Sequence, residues 1–252
     1  MISLIVCSRR NPSDTLHERN ARKTAADPIE YIRIDNRDTG YGICAAYNEG
    51  AKRAKGDVLV FMHEDAYFME RGWDVILAKK FSDANLGLIG IAGTQYLPAD
   101  PPGWVVAGRP FIKGQIIHET DRGGSFHLTV FSWDKTDAEA VAVDGVFFAV
   151  RKSLFERVRF DEKTFDGFHF YDLDFCMQVR KTHRIAVTPD LLIKHQSGGS
   201  FDAAWKKYAD LFVQKYKNEL PAFCVKEVPD LSKRIPFETF DLKGRIPQVT
   251  IA

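Results

Sequence analysis

The stretch VLVFMHEDAYF, residues 58–68, places a run of core-type residues directly before a cluster of ionisable ones. Val58 to Met62 are all apolar, which is typical of a central strand of a parallel sheet covered on both faces. Parallel sheets bind ligands at the carboxyl ends of their strands, so His63, Glu64 and Asp65 predict a ligand-binding edge. Because side chains alternate along an extended chain, His63 and Asp65 should point one way and Glu64 the other.

This stretch contains the third strand of a repeating pattern in the first half of the chain. Apolar runs indicate strands at 2–7, 29–34 and 58–62, and helical patterning indicates helices at 13–26, 43–55 and 70–81. Strands alternating with helices imply an α/β fold with a mostly parallel central sheet flanked by helices. The glycine-rich dinucleotide fingerprint and the P-loop pattern are both absent from the sequence, which excludes the usual phosphate-binding loops.

The sequence after residue 80 is less regular. Strands are expected at 86–93, 140–150, 185–187 and 191–194, and helices at 152–157, from about 172, and at 201–217. The 140–150 strand should be broken at Asp144-Gly145. Residues 94–140 are rich in proline and have no helical period, which indicates irregular loops and short β segments that form a lobe over the sheet. After Pro221 we expect an extended tail, and the aromatic stripe of the 201–217 helix is typical of core packing.

Composition narrows the class of protein. The chain has 252 residues, 45% of them apolar and 27% charged, with a formal net charge of +1. This balance argues against a nucleic-acid partner or an acidic membrane surface. No apolar stretch approaches the roughly 20 residues that a membrane span needs, and the four cysteines include no CxxC pair. We therefore expect a cytoplasmic protein, free or peripheral to a membrane, whose aromatic helix packs within the chain or across a homodimer.

Polar residues follow all three of the first predicted strands. Ser8 and Arg9 follow the first strand, and Asp35 and Asn36 end the second. A polar strand end by itself indicates only contact with solvent, but three at one edge favour a binding site. Carboxylate oxygens are the ligands that Mg²⁺ and Mn²⁺ prefer, so Asp65 is the leading candidate for a metal ligand.

Two later segments add candidate residues. Asp172 and Asp174 lie at the expected start of a helix; capping explains one of them, and the preceding aromatic residues could desolvate the other as a general base. His195 follows a short strand and precedes Gly198-Gly199, a pattern that fits an exposed loop or a metal and phosphate site.

These segments together resemble one family. The chain is similar to GT-A fold glycosyltransferases of the family 2 type in SLIVCSRRN (3–11), YIRIDNRDTG (31–40), AAYNEGAKRAKGDVLVFMHEDA (45–66), VDGVFFAVRKSLF (143–155) and FHFYDLDFCMQVRK (168–181). The order and spacing of the segments, over roughly residues 2–200, carry the resemblance. Two positions depart from the family pattern: His63 stands where an acidic residue opens the metal motif, and Tyr171 stands where a glutamate usually precedes the aspartate.

The resemblance implies an inverting transferase that moves a sugar from a nucleotide-sugar, with UDP-sugar as the first expectation, to a hydroxyl of a glycan or lipid-linked acceptor. Such enzymes take part in polysaccharide or glycoconjugate synthesis. Residues 1–93 would form a nucleotide-binding half, 94–200 an acceptor half, and 201–252 a helix and tail packed on the same domain.

The resemblance also implies a role for each candidate residue. Asp65, His195 and His63 would bind Mn²⁺ or Mg²⁺. Asp172 would be the general base, with Asp174 as the alternative. The remaining candidates fall into two groups: Ser8, Arg9, Asp35, Asn36, Asn48 and Glu64 at the nucleotide donor, and Asp144, Gly145 and Tyr171 at the sugar or acceptor.

Other classes of protein remain open on the sequence. His63 in the metal motif also fits a degenerate GT-A-like module that binds a nucleotide or glycan without transferring a sugar. A nucleotidyltransferase is disfavoured because no glycine-rich, lysine-containing loop follows the first strand. A scaffold protein that uses the aromatic C-terminal helix is the third alternative.

Overall fold

The computed structural model describes residues 1–119, 125–196, 202–228 and 230–243. The strands in the first half are β1 (Ile2–Ser8), β2 (Glu30–Asp35), β3 (Val58–Met62), β4 (Ala66–Phe68), β5 (Leu86–Gly90), β6 (Ala92–Thr94), β7 (Tyr96–Leu97) and β8 (Ile112–Glu119). Those in the second half are β9 (Phe126–Val130), β10 (Ala138–Ala140), β11 (Ala142–Val143), β12 (Phe147–Arg151), β13 (Arg184–Val187), β14 (Ile193–His195), β15 (Ala222–Phe223) and β16 (Glu238–Asp241). The helices are α1 (Leu16–Thr24), α2 (Ile43–Arg53), α3 (Trp73–Lys80), α4 (Lys152–Phe155), α5 (Tyr171–Val179) and α6 (Ala203–Lys215), and a 3₁₀ turn spans Leu231–Lys233.

The central sheet forms around the three strands that the sequence predicts. Its seven strands within the described residues run in the order β10-β13-β5-β12-β3-β1-β2, and β1 pairs in parallel with both β2 and β3. All five residues of β3 are buried, with Leu59 and Phe61 in one core cluster and Val60 and Met62 in the other. The alternation places one apolar layer on each face of the sheet, so the predicted α/β fold is confirmed.

The far half of this sheet is mixed rather than parallel throughout. β12 runs antiparallel to both of its neighbours, β3 and β5, and β10 runs antiparallel to β13. The chain reaches β12 directly from β11, across the predicted break at Asp144-Gly145, instead of through a crossover helix. The break thus separates β11, which lies in a different sheet, from β12 in the central sheet.

The β segments expected at 94–140 are present, and two of them, β8 and β9, belong to a second sheet that the sequence did not predict. It runs β11-β6-β8-β14-β4, and β8 also pairs with β9, which in turn pairs with β16. The predicted 86–93 strand is divided at Ile91 between the two sheets as β5 and β6. Gly114 permits the close approach of β8, since it has φ +97° and an added Cβ would lie 1.9 Å from the Ile91 carbonyl oxygen.

The C-terminal segments extend both the core and the sheets. Phe212 of α6 is fully buried, and its ring lies 5.3 Å from that of Phe170, so the predicted core role of the aromatic stripe is confirmed. Phe201 and the Gly198-Gly199 segment lie outside the described residues. The tail after Pro221 includes two short extended strands along the body, since β15 pairs with β7 and β16 pairs with β9, and a 3₁₀ turn at Leu231–Lys233 lies between them.

Candidate active site

A cluster of metal-ligating side chains forms where the two sheets meet. His63 follows β3, Asp65 precedes β4, and His195 ends β14, which pairs antiparallel with β4 so that His195 lies opposite Ala66. One ligand atom from each of His63, Asp65 and His195 lies within 4.8 Å of the others. The strand pairing therefore brings His195, 132 positions beyond His63, to the end of β3.

The charges within this cluster favour cation binding. His195 Nε2 lies 3.3 Å from Asp65 Oδ1 and 3.4 Å from His63 Nδ1. Burial opposes ionisation of Asp65, but the hydrogen bond from His195 and the two imidazoles outweigh it and hold the pKa of Asp65 below its usual value. Burial and the neighbouring His195 lower the pKa of His63 to about 4. At neutral pH the cluster thus offers a carboxylate and a neutral His63 imidazole, the donor types that Mn²⁺ accepts.

Tyr171 fixes the orientation of His63. The Tyr171 hydroxyl donates to the Gly145 carbonyl oxygen at 2.8 Å. The hydroxyl oxygen of Tyr171 also lies 2.8 Å from His63 Nε2. Since the hydroxyl has a single hydrogen, the hydrogen-bond network assigns His63 as the donor through Nε2–H. The lone pair of Nδ1 then faces His195 and Asp65, where a cation would bind.

Asp172 lies on the other side of Gly145. Its Oδ2 accepts from the Gly145 N–H and its Oδ1 from the Leu173 N–H, each at 2.9 Å. Burial and the nearby Asp144 carboxylate raise the pKa of Asp172 to about 7 despite these hydrogen bonds. A carboxylate with such a pKa can accept a proton at neutral pH, which suits a general base.

The backbone at the start of α5 sets the direction of Tyr171 and Asp172. Phe170 has φ 65°, in the left-handed region that non-glycine residues seldom adopt. Its ring packs 5.2 Å from that of Trp205 and 5.3 Å from that of Phe212, both on α6. This packing offsets a strain of about 1 kcal/mol or more at Phe170. The C-terminal helix therefore helps to hold the site.

Asp174 is not part of this arrangement. Residues two apart on a helix differ by about 200° in direction, so Asp174 faces away from Asp172. Its carboxylate is 1% exposed and accepts hydrogen bonds from Lys215 at 2.6 Å, Tyr216 at 2.7 Å and Gln178 at 2.8 Å. Its contacts are those of a residue that joins α5 to α6.

Glu64 points away from the metal-ligating cluster, as strand alternation predicts. It accepts from the Ser8 hydroxyl at 2.5 Å and from the backbone N–H groups of Arg10 at 3.2 Å and Arg9 at 3.4 Å. The Arg10 guanidinium bonds Tyr67 and Gln196, at 2.9 and 3.0 Å. Glu64 thus holds the loop after β1 against the end of β3.

The other nucleotide-side candidates are spread along the sheet edge. Ser8 and Asp35 are partners in the β1–β2 ladder, and Asn36 N–H donates to the Ser8 carbonyl oxygen at 2.7 Å. Asp35 is solvent-exposed, and its hydrogen bonds from Arg37 lower its pKa to about 2. Asn48 instead bonds the backbone of Phe160, through Nδ2 at 3.0 Å and Oδ1 at 3.2 Å, and so ties α2 to the loop before α5.

A cleft of about 610 Å³ opens over this edge. Six of the sequence-predicted site residues line it, namely His63, Asp144, Gly145, Tyr171, Asp172 and His195. The described lining does not include Asp65, Asp174 or the six nucleotide-side candidates. The structure therefore brings the metal-side and base-side predictions into one cavity and leaves the nucleotide-side residues beside it.

Sequence reasoning missed much of the cleft. His118 on β8 lies opposite both His127 on β9 and His195 on β14, and all three line the cavity. Trp104 and Phe237 also line it. No spacing rule connects these positions, because strand pairing between distant segments brings them together. The single local signal was the alternation of buried and partly exposed residues along β8.

Comparison with known proteins shows the family of the chain. A family model described as "Glycosyltransferase like family" matches residues 19–216, well over half of the chain. The chain belongs to this glycosyltransferase-like family. A curated relative from Fuscovulum blasticum, named "ATP synthase subunits region ORF 6", is 23% identical over 77% of this chain and 74% of its own.

Solved structures similar to this member of the family are GT-A glycosyltransferases. A mannosyltransferase of Pyrobaculum calidifontis, in complex with GDP-Man and Mn²⁺, matches with TM-score 0.53 and 14% identity over 92% of this chain and 66% of its own. S. aureus TarS with UDP-GlcNAc matches with TM-score 0.53 and 15% identity, over 86% and 66%. GalNAc-T7 with UDP, GalNAc and Mn²⁺ matches with TM-score 0.50 and 13% identity, over 84% and 47%.

These likenesses establish the GT-A fold of the chain. The chain spans less than two thirds of the length of each of the three solved structures. None of the helices in the described part of the chain combines the length and the apolar character that a membrane crossing requires.

Proposed function

We propose that this protein is an inverting glycosyltransferase that uses a nucleotide-sugar donor, a UDP-sugar in the first instance, and a divalent cation, Mn²⁺ or Mg²⁺. The observation that carries the proposal is the link between His63 and Asp172 through Tyr171 and Gly145 at one cleft. Metal ligands and a carboxylate with raised pKa are thereby held on the two sides of a single glycine. Family membership and the GT-A fold support the same activity.

The donor nucleotide is proposed to bind at the carboxyl ends of β1 and β2. Ser8 and Asp35 are neighbours there, and Asn36 bonds the Ser8 backbone. Asp35 is solvent-exposed, as a residue that contacts the base would need to be, and Arg9 follows Ser8 in the same loop. Glu64 supports this region by holding the loop after β1 through Ser8. Asn48 supports it by joining α2 to the loop that contains Phe160.

A cation bound by Asp65, His63 and His195 would neutralise charge on the donor diphosphate. Asp172 accepts the proton of an acceptor hydroxyl, whose oxygen then forms a bond to the anomeric carbon of the sugar. The bond from that carbon to the diphosphate oxygen breaks, and the nucleoside diphosphate leaves with the electron pair. Attack opposite the leaving group inverts the anomeric configuration. Asp144 is proposed to contact the sugar or the acceptor from the same wall of the cleft.

The chain's two halves are proposed to divide this work. Residues 1–93 bind the donor, residues 94–200 form the acceptor side, and residues 201–252 pack on the same domain. A glycan or lipid-linked acceptor is proposed, in polysaccharide or glycoconjugate synthesis.

A donor-hydrolysis screen tests the proposal without a known acceptor. UDP-, GDP- and dTDP-sugars are incubated with the full chain and Mn²⁺, and the released nucleoside diphosphate is measured. Asp65→Asn should abolish both Mn²⁺ binding and hydrolysis, whereas Asp172→Asn should abolish hydrolysis and keep the binding of Mn²⁺ and nucleoside diphosphate. Asp210→Asn, on the exposed face of α6, is the matched control and should behave as wild type.

Two outcomes would contradict the proposal. Unchanged hydrolysis in Asp172→Asn would remove Asp172 from the mechanism. Nucleoside diphosphate binding that is indifferent to Mn²⁺, with no hydrolysis of any donor, would identify the chain as a nucleotide-binding module instead.

A further inference from the structure

The cleft wall away from the metal-ligating cluster is apolar and aromatic. Its side chains come from the 102–105 loop, β8, the residue after β9 and the residue before β16, and they include Trp104, Val105, Ile116, Phe131 and Phe237. The Phe131 ring contacts Trp104 edge-on at 4.9 Å and Phe237 at 5.3 Å. Three rings from distant parts of the chain therefore form one continuous surface.

This aromatic surface reaches the mouth of the cleft. Phe237 is 43% exposed although it lines the cavity, and Phe168, whose ring lies 5.3 Å from that of His63, is 54% exposed and lines the same cavity. Large aromatic residues exposed together at the opening of a cavity indicate contact with a ligand more often than chance exposure of single apolar residues does.

The C-terminal strand builds one side of this wall. β16 pairs antiparallel with β9, with Glu238 opposite Val130 and Phe240 opposite Leu128. Phe237 and Thr239 line the cleft, whereas Phe240 packs on Trp133 outside it. Alternation along the strand thus separates a cleft-facing side from an outward side.

The polar composition of the cleft disfavours a sugar in this part. Among the described lining residues there is no Asn, Gln, Glu, Arg or Lys. Besides the five histidines, Tyr171 and the two aspartates, the polar groups of the lining side chains are the hydroxyls of Thr129 and Thr239 and the indole N–H groups of Trp104 and Trp205. A buried sugar presents several hydroxyl groups, each of which is costly to desolvate without a hydrogen-bonding partner. An apolar group gains free energy from the same surface.

We propose that the acceptor presents its reactive hydroxyl on an apolar body, an alkyl or aryl group that packs against Trp104, Phe131 and Phe237. The hydroxyl end of such a molecule lies at Asp172, and the apolar body extends toward β16. This inference rests on the proposed function, because it assigns the acceptor class of the same site and selects the lipid-linked acceptor over the glycan. It makes the C-terminal strand a determinant of acceptor specificity.

Binding of simple alcohols tests the inference in the absence of any nucleotide-sugar. Geraniol represents an apolar chain, benzyl alcohol an aryl ring, and maltose a sugar, and each is titrated calorimetrically into the full chain with Mn²⁺. We expect geraniol or benzyl alcohol to bind and maltose not to bind. The alcohol that binds more tightly shows whether the apolar body of the acceptor is an alkyl chain or an aryl ring. Phe237→Ser should weaken that binding about tenfold, which corresponds to about 1.4 kcal/mol.

Two further variants make the test independent of folding defects. Phe240→Ser is the matched control, because Phe240 lies three residues from Phe237, is 42% exposed and faces away from the cleft. It should bind the alcohol as wild type does. Thr239→Val replaces a cleft-facing hydroxyl by a methyl group and should tighten alcohol binding, a gain that unfolding cannot produce.

The inference is overturned if maltose binds more tightly than both alcohols, if neither alcohol binds, or if Phe237→Ser and Phe240→Ser have equal effects. None of these results bears on donor hydrolysis, which needs no acceptor. Conversely, a failure of the donor screen leaves the alcohol titrations interpretable, so the two proposals fail separately.

Discussion

Tyr171 and His63, the two positions at which the chain departs from the family pattern it resembles, hydrogen-bond each other at 2.8 Å. The Tyr171 hydroxyl bonds the Gly145 carbonyl oxygen as well, which leaves it as the acceptor for His63 Nε2–H. An added Cβ at Gly145 would lie 2.2 Å from this hydroxyl, so the hydrogen bond between Tyr171 and His63 also requires glycine at position 145. The two departures are thus in direct contact, and the Tyr171 phenol orients the His63 imidazole.

Tyr171→Phe is expected to weaken Mn²⁺ binding about 10- to 100-fold, the range typical when a hydrogen bond that orients a metal ligand is lost. The His63 ring would lose its partner at Nε2, so Nδ1 would no longer be held toward the cation. Mn²⁺ affinity can be measured by electron paramagnetic resonance of the free ion.

The control for this variant is Tyr47→Phe. Tyr47 is also fully buried and packs on the Tyr171 ring at 5.8 Å, but its hydroxyl has no hydrogen-bond partner among the described residues. It should keep wild-type Mn²⁺ affinity. Equal losses in the two variants would show that ring packing, rather than the hydrogen bond to His63, governs the metal site.

The pH dependence of donor hydrolysis should follow Asp172. The base acts in its ionised form, and burial and the Asp144 carboxylate raise its pKa to about 7, so the rate should rise with pH through about 7 and then level off. Asp144→Asn removes a neighbouring negative charge, which favours ionised Asp172 and lowers its pKa. The rising limb should therefore move to lower pH.

The pH–rate profiles of wild type, Asp144→Asn and Asp210→Asn provide the measurement. A limb that stays in place in Asp144→Asn, or that moves equally in the surface variant Asp210→Asn, would assign the titration to a group other than Asp172.

Asp174 should matter for stability. Asp174→Ala removes the buried partner of Lys215 and Tyr216, and we expect a loss of about 2 kcal/mol in the free energy of unfolding. The loss stays below that of a fully buried ion pair because Lys215 is partly exposed and also pairs with Asp161 at 2.8 Å. Urea unfolding measures the change.

Asp161→Ala removes the more exposed partner of Lys215 and should have a smaller effect. Folded Asp174→Ala protein should retain donor hydrolysis and Mn²⁺ binding. A variant of wild-type stability that had lost hydrolysis would restore Asp174 as a candidate base.

The region around β3 could be predicted from sequence because its determinants are local. The bounds of β3 are those predicted, and alternation correctly separates His63 and Asp65 from Glu64, since neighbouring side chains on an extended chain point in opposite directions. The break at Asp144-Gly145 was also found from local residues. What the break does, sending β11 and β12 to different sheets, was not predicted.

The choice between Asp172 and Asp174 shows where local reasoning ended. Both aspartates begin the same helix, and the sequence left either as the base. The packing of α6 gives the two aspartates different partners, because Lys215 and Tyr216 donate hydrogen bonds to Asp174 while the Gly145 N–H donates to Asp172. Those contacts join residues 27 to 42 positions apart in the chain, and no periodicity in the sequence predicts them.

By itself the sequence determined the central strands, the α/β class and the directions of His63, Glu64 and Asp65 at the end of β3, all of which follow from the alternation and apolar character of short segments. Only the tertiary structure decided that His195 joins His63, that Tyr171 orients His63, and that β16 walls the cleft with Phe237. These depend on strand pairing and helix packing between distant segments, whose free energy resides in the contacts and not in any one segment's residues.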